Sequence, residues 1–189
     1  AIKEYETVWM VKGKRLTENG LNRYFAEGLG IPPETEKGHF NKVLVSYAKK
    51  HKLSLDNFIA QYQSNTIKEP KLDAYFTHDR SLRESGHDTS WRLDDVCADL
   101  NTVALNSLLY KYEKDFAQII NIYFSDKFED YNSYYWQQKA SQRLEKMYDL
   151  MWNDEKGQFF DYNFKTEKQT HFESASNYIP LWTGIHKND

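Results

Sequence analysis

Leu105-Asn106-Ser107-Leu108-Leu109-Tyr110-Lys111-Tyr112-Glu113-Lys114-Asp115-Phe116-Ala117-Gln118-Ile119-Ile120-Asn121-Ile122-Tyr123 carries the strongest pattern in this chain. Its apolar residues Leu105, Leu108, Leu109, Tyr112, Phe116, Ile119, Ile120 and Tyr123 recur at intervals of three and four, which on a helix makes one stripe over about five turns. Asp99 or Asn101 is the expected cap at its start. A second helical run follows from near Asn132 through Trp136, Ala140, Leu144, Met147 and Met151, so the two predict an α-hairpin. Upstream, Phe40, Val43, Leu44, Tyr47 and Ala48 predict a helix. Leu55, Phe58, Ile59 and Tyr62 predict another behind Ser54 as cap, and Leu72 to Leu82 a third after Pro70.

The remaining segments are punctuated. Gly13, Gly20, Gly28, Gly30, Gly38 and the Pro32-Pro33 pair predict turns rather than regular structure in the opening third. Asn153-Asp154-Glu155-Lys156-Gly157 between aromatic flanks predicts a small β-hairpin or extended loop over 152–163. Ser174 to Ser176 open a last helix in which Pro180 is tolerated only near the start. No short repeat and no long linker divides the 189 residues, so one all-α domain is expected.

Composition narrows the partners. Net charge is −3 with both signs interspersed, which leaves no electrostatic footprint for nucleic acid or anionic lipid. No apolar run approaches the ~18 residues that a membrane helix needs. The single cysteine, Cys97, excludes an internal disulfide framework and reads as a small buried residue. His39, His51, His78, His87, His171 and His186 are scattered without metal-ligand spacing, so neither metal nor cofactor is expected in this chain. Aromatic residues make up 16% of the chain, a content suited to sugar stacking and equally to filling helix interfaces. A reducing, cytosolic compartment follows from the cysteine usage and the lack of a leading signal sequence. A start at Ala1 rather than Met points to processing or excision.

Candidate chemistry gathers in two loops. Glu34 and Glu36 follow Pro33, and Arg83-Glu84-Ser85-Gly86-His87-Asp88-Thr89-Ser90-Trp91-Arg92 packs acid and base around a glycine where the third helical pattern stops. A carboxyl group at Asp88 among these neighbours suits proton donation to a leaving oxygen or recognition of a polyhydroxylated substrate. The same residues also suit a solvated helix terminus with surface ion pairs, and Glu34 a helix cap after Pro33.

These blocks, taken with Glu69-Pro70-Lys71-Leu72-Asp73, His78-Asp79-Arg80, Phe159-Phe160-Asp161-Tyr162-Asn163 and Phe172-Glu173-Ser174-Ala175, resemble the neutral trehalases in order and in spacing. The resemblance implies an inverting glycosidase that cleaves α,α-trehalose to two glucose molecules inside an α/α toroid of helical hairpins. It implies Asp88 as the general acid, Glu34, Arg83 and the backbone near Gly86 as holders of sugar hydroxyls, and Glu84, His87 and Arg92 as supports of the acid loop. The family also uses a catalytic base, an N-terminal glycine-rich signature with a sugar-binding arginine, and a Trp-Asp-rich signature, none of which stands in this sequence. The chain therefore reads as residues 1–189 of a partial catalytic domain, about half of the toroid, with the acid but no base and no activity in isolation. Its expected partners are trehalose, glucose and the remaining segments of the same enzyme. A related α-glucosidase of the same toroid class, or a non-catalytic sugar-binding module, are the competing expectations.

Overall fold

The computed structural model describes residues 1–87 and 90–186. It is mostly helical with short antiparallel ribbons, and it divides into two compact units, Phe25–Ala98 and Ala1–Tyr24 with Asp99–Asp189. The chain opens with α1 (Ile2–Glu4), which continues as a π-helical turn over Tyr5–Trp9. This helix replaces the irregular start expected from the glycines. A segment so short lacks intrinsic helical stability, and Tyr5 supplies the tertiary anchor: it is fully buried, edge-on to Trp136 and Phe116 with ring centroids 5.2 and 6.1 Å away.

The 25–98 unit is three helices around one aromatic core. α2 (Asn41–Lys50) and α3 (Leu55–Gln63) form the expected pair, and Ser54 Oγ accepts from the Asn57 N–H at 3.3 Å as the predicted cap. α4 (Pro70–Ser85) begins on Pro70, where a missing N–H costs nothing. Phe40, Leu44, Phe58, Tyr62, Leu72 and Phe76 close the core between them. Just before α4, the buried Glu69 carboxylate takes bonds from Lys50 Nζ at 2.7 Å and His51 Nε2 at 2.5 Å, which fastens the end of α2 to the start of α4. Beyond α4, short 3₁₀ turns at Trp91–Leu93 and Cys97–Asp99 complete this stretch, and Cys97 is fully buried, as expected.

In the other unit, β1 (Leu100–Asn101) leads into α5 (Val103–Tyr123). The cap is Thr102, whose side chain accepts from the Leu105 N–H, rather than Asp99 or Asn101. Asn101 lies in β1 and bonds Thr17 and Asn19, and Asp99 stands three residues before the cap position. α6 (Ser133–Met151) starts on the Asn132 cap and folds back along α5 as the predicted hairpin. The apolar stripe of α5 is divided: Leu105, Leu109, Phe116 and Ile120 are buried, whereas Leu108, Tyr112, Ile119 and Tyr123 are exposed.

Between α5 and α6 lies an ion pair almost completely removed from water. Arg143 Nε and Nη2 meet Glu113 Oε1 at 2.9 and 2.8 Å, Nη1 donates to Asn22 Oδ1 and Asn106 Oδ1, and the Tyr5 hydroxyl donates to Glu113 at 2.5 Å. Burial beside this carboxylate pushes the Tyr5 hydroxyl well above the usual phenol range. Past α6, the expected hairpin is β2 (Trp152–Asn153) with β3 (Gln158–Phe159). A second ribbon, which the periodicity does not reveal, pairs β4 (Tyr162–Asn163) with β5 (Lys168–Gln169) and with β1. α7 (Ile179–Thr183) carries Pro180 in its first turn, where the sequence confines it.

Replacing one member of the buried pair strands the other. Arg143→Met should cost about 3–5 kcal/mol in urea denaturation, and the double change Arg143→Met/Glu113→Leu should recover much of it; equal stability of the single variant and the parent would refute the role of this pair. Glu69 makes a second prediction. Its bonds from Lys50 and His51 hold its carboxyl below the ordinary value of 4.5. The stability it contributes is complete above that pH and is lost as pH falls through the lower folded value. Melting temperatures of Glu69→Gln should therefore fall less steeply below pH 4.5 than those of the parent.

Candidate active site

The charged run sits where α4 stops. Gly86 ends the helix in the left-handed region, φ 70° and ψ 7°, with its N–H returning to the Arg83 carbonyl at 3.1 Å. A Cβ at this position meets nothing within 4 Å, so the demand for glycine comes from the backbone and not from crowding. Ser85 continues the turn: its Oγ donates to the Leu82 carbonyl at 2.6 Å and accepts from the His87 N–H at 3.1 Å. Asp88 and Thr89 lie outside the described residues.

Arg83 is half-buried, with Nε 2.8 Å from Asp79 Oδ2 one turn back, and its guanidinium carbon lies 5.8 Å from the centroid of the Phe40 ring. Nη2 approaches His39 Nε2 at 3.4 Å. Asp79 thus offsets the positive charge of Arg83 at the end of the helix. Glu84 Oε2 accepts the Phe25 N–H at 2.6 Å. Arg92 is buried in the 3₁₀ turn Trp91–Leu93.

Glu34 is exposed on a run of turns, and no helix begins after Pro33, so it does not cap one; the next helix starts at Asn41. The segment before Glu34 is held against α4 by Arg80, whose Nη1 donates to the Gly30 carbonyl and Nη2 to the Gly28 carbonyl, both at 2.7 Å. Desolvation lowers the Arg80 pKa, and the charges of Tyr62, Asp79, Glu34 and Asp73 oppose it. Glu34 and Arg83 are therefore carried by two segments joined one helical turn upstream of Arg83. A cleft of about 300 Å³ on the α2–α3 side of the same loop is lined by Pro33, Thr35, Glu36, Lys37, Asn41 and Asp56. Glu34 and Arg83 are not among the residues lining that cleft, which places them outside it. Arg80 and Asp79 are absent from the sequence-derived candidates; the signal available for them was spacing, because residues 79 and 80 share a helical face with 83 and 84.

A mostly helical chain with helical hairpins and short antiparallel ribbons accords with part of an α/α toroid. The trehalase family model matches residues 1–189, and the chain belongs to the trehalase family. It is 51% identical to the cytosolic neutral trehalase of Saccharomyces cerevisiae over 98% of this chain and 25% of that protein. It is 48% identical to that of Neurospora crassa over 98% of this chain and 27% of that protein. The solved structure of neutral trehalase Nth1 from Saccharomyces cerevisiae superposes with a TM-score of 0.94 at 51% identity, covering 98% of this chain and 35% of that one. The chain thus spans about a quarter of the length of the curated relatives it matches.

Gly86→Ala should cost about 1 kcal/mol in thermal or urea denaturation, the price of a Cβ in the left-handed region. No cost at all would show that α4 ends by a different geometry.

Proposed function

We propose that the polypeptide carrying this chain hydrolyses α,α-trehalose to two glucose molecules with inversion of configuration, and that this segment supplies the general acid and part of the sugar site. Asp88 is the acid that protonates the glycosidic oxygen. Glu34, Arg83 and the backbone near Gly86 hold sugar hydroxyls, with Glu84, His87 and Arg92 supporting the loop. The observation that carries this reading is that Arg83 and Glu84 stand in the last turn of α4, just before its left-handed stop at Gly86, in a chain that fits the trehalase family along its length.

The chemistry accords with the neighbours. An inverting glycosidase needs one carboxyl protonated and a second carboxylate about 6.5–9.5 Å away, with room for water between them. An arginine beside the acid would favour its ionised form. Asp79, paired with Arg83 Nε at 2.8 Å, offsets part of that guanidinium's charge. The base is supplied by another part of the polypeptide, and so is the rest of the toroid. The protein works in the cytosol, as the names of its relatives state for them; among the described residues no helix is long and apolar enough to cross a membrane.

Asp88→Asn in the full-length enzyme should lower trehalose turnover by about 10²–10⁴, the usual worth of a positioned acid, with an unchanged melting temperature. Glucose release at the parental rate would remove Asp88 from the acid role.

A further inference from the structure

Three contacts pin the segment leading to Glu34 onto one face of α4. Glu84 takes the Phe25 N–H at 2.6 Å, and Arg80, four residues earlier on the helix, gives its two terminal nitrogens to the Gly28 and Gly30 carbonyls at 2.7 Å each. After the last pin come Pro32 and Pro33, whose rings fix φ. Two of the φ angles between Gly30 and Glu34 are therefore fixed, which limits how far Glu34 moves independently of the pin.

Arg80 is expensive to keep where it is. It is buried, and its Nε has no hydrogen-bond partner among the described residues. A guanidinium removed from water and left partly unsatisfied is retained only where its remaining donors are needed, and both of those go to the loop. Gly28 fits the same requirement from the other side: at φ +156°, a Cβ there would lie 3.1 Å from Arg80 Nε and 3.2 Å from its Cδ.

We infer that Arg80 is a positioning residue for sugar recognition: by holding the Gly28 and Gly30 carbonyls it places Glu34 relative to Arg83, which projects from α4 one turn further on. Arg80 acts through Glu34 and touches no reacting atom. The inference rests on the assignment of Glu34 as a sugar ligand under the proposed function.

A double-mutant cycle in the full-length enzyme tests it, with trehalose kcat/KM and KM as readouts and melting temperature alongside. Arg80→Met should lower kcat/KM about tenfold or more, chiefly through KM, whereas in a Glu34→Ala background the same change should have less than about a threefold effect. Arg80→Lys, whose single ammonium cannot span both carbonyls, should fall between parent and Arg80→Met. Gly28→Ala, which presses on the guanidinium, should show the same coupling to Glu34→Ala and replaces Arg80→Met if that variant does not fold. Equal losses with and without Glu34 would mean a merely structural arginine and would overturn the inference while leaving the trehalase reading intact. If Glu34→Ala alone leaves kcat/KM unchanged, the assignment of Glu34 itself falls, and the inference with it.

Discussion

A charge taken out of water must find partners, and that constraint fastens this chain together at the points its short loops cannot. Unpaired, a buried ion costs several kcal/mol, so each one selects the arrangement in which its bonds are made. Arg143 is satisfied only when Glu113, Asn22 and Asn106 surround it, which brings the opening segment onto the α5–α6 hairpin. Arg80 is satisfied by the Gly28 and Gly30 carbonyls, which lays the Glu34 loop along α4. Glu69 joins the ends of α2 and α4 by the same logic. Apolar burial gives each unit its core, and these polar contacts choose the register of what surrounds it.

Much of this was legible in the residue order. The helices over α2 to α6, the Ser54 cap, a ribbon within 152–163 and the placement of Pro180 follow from local periodicity and capping chemistry, which act within a few residues. What was not legible depends on partners far along the chain. The helix at Ile2–Trp9 exists because Tyr5 reaches Phe116, Trp136 and Glu113, and Thr102 rather than Asp99 or Asn101 caps α5 because the strand pairing with Tyr162–Asn163 takes Asn101. Likewise the stripe of α5 reads as continuous although half of it is exposed; periodicity identifies an apolar face but not its cover.

The candidate site divides in the same way. The stretch around Arg83 and Gly86 was recognisable as the place where a helical pattern stops, though α4 runs on to Ser85, and Glu34 as a carboxylate in a loop marked by proline. Arg80 escaped notice because an arginine bonded to carbonyls leaves no trace in the residue types it contacts. Yet Arg80 is what ties the Gly28 and Gly30 carbonyls, in the segment leading to Glu34, to the helix that carries Arg83. A site for a neutral polyol needs donors and acceptors fixed at hydroxyl spacing more than it needs net charge, and here Asp79 offsets Arg83 while Arg80 is spent on backbone carbonyls.

The central claim is that the Gly28–Glu34 loop and the end of α4 form one sugar-binding surface. Amide hydrogen exchange of the full-length enzyme with and without a non-hydrolysable trehalose analogue addresses it directly. The account predicts that amides of residues 28–35 and of residues 84–90 gain protection together and at the same analogue concentration. Protection of one segment without the other, or of neither while the analogue binds elsewhere, would contradict it.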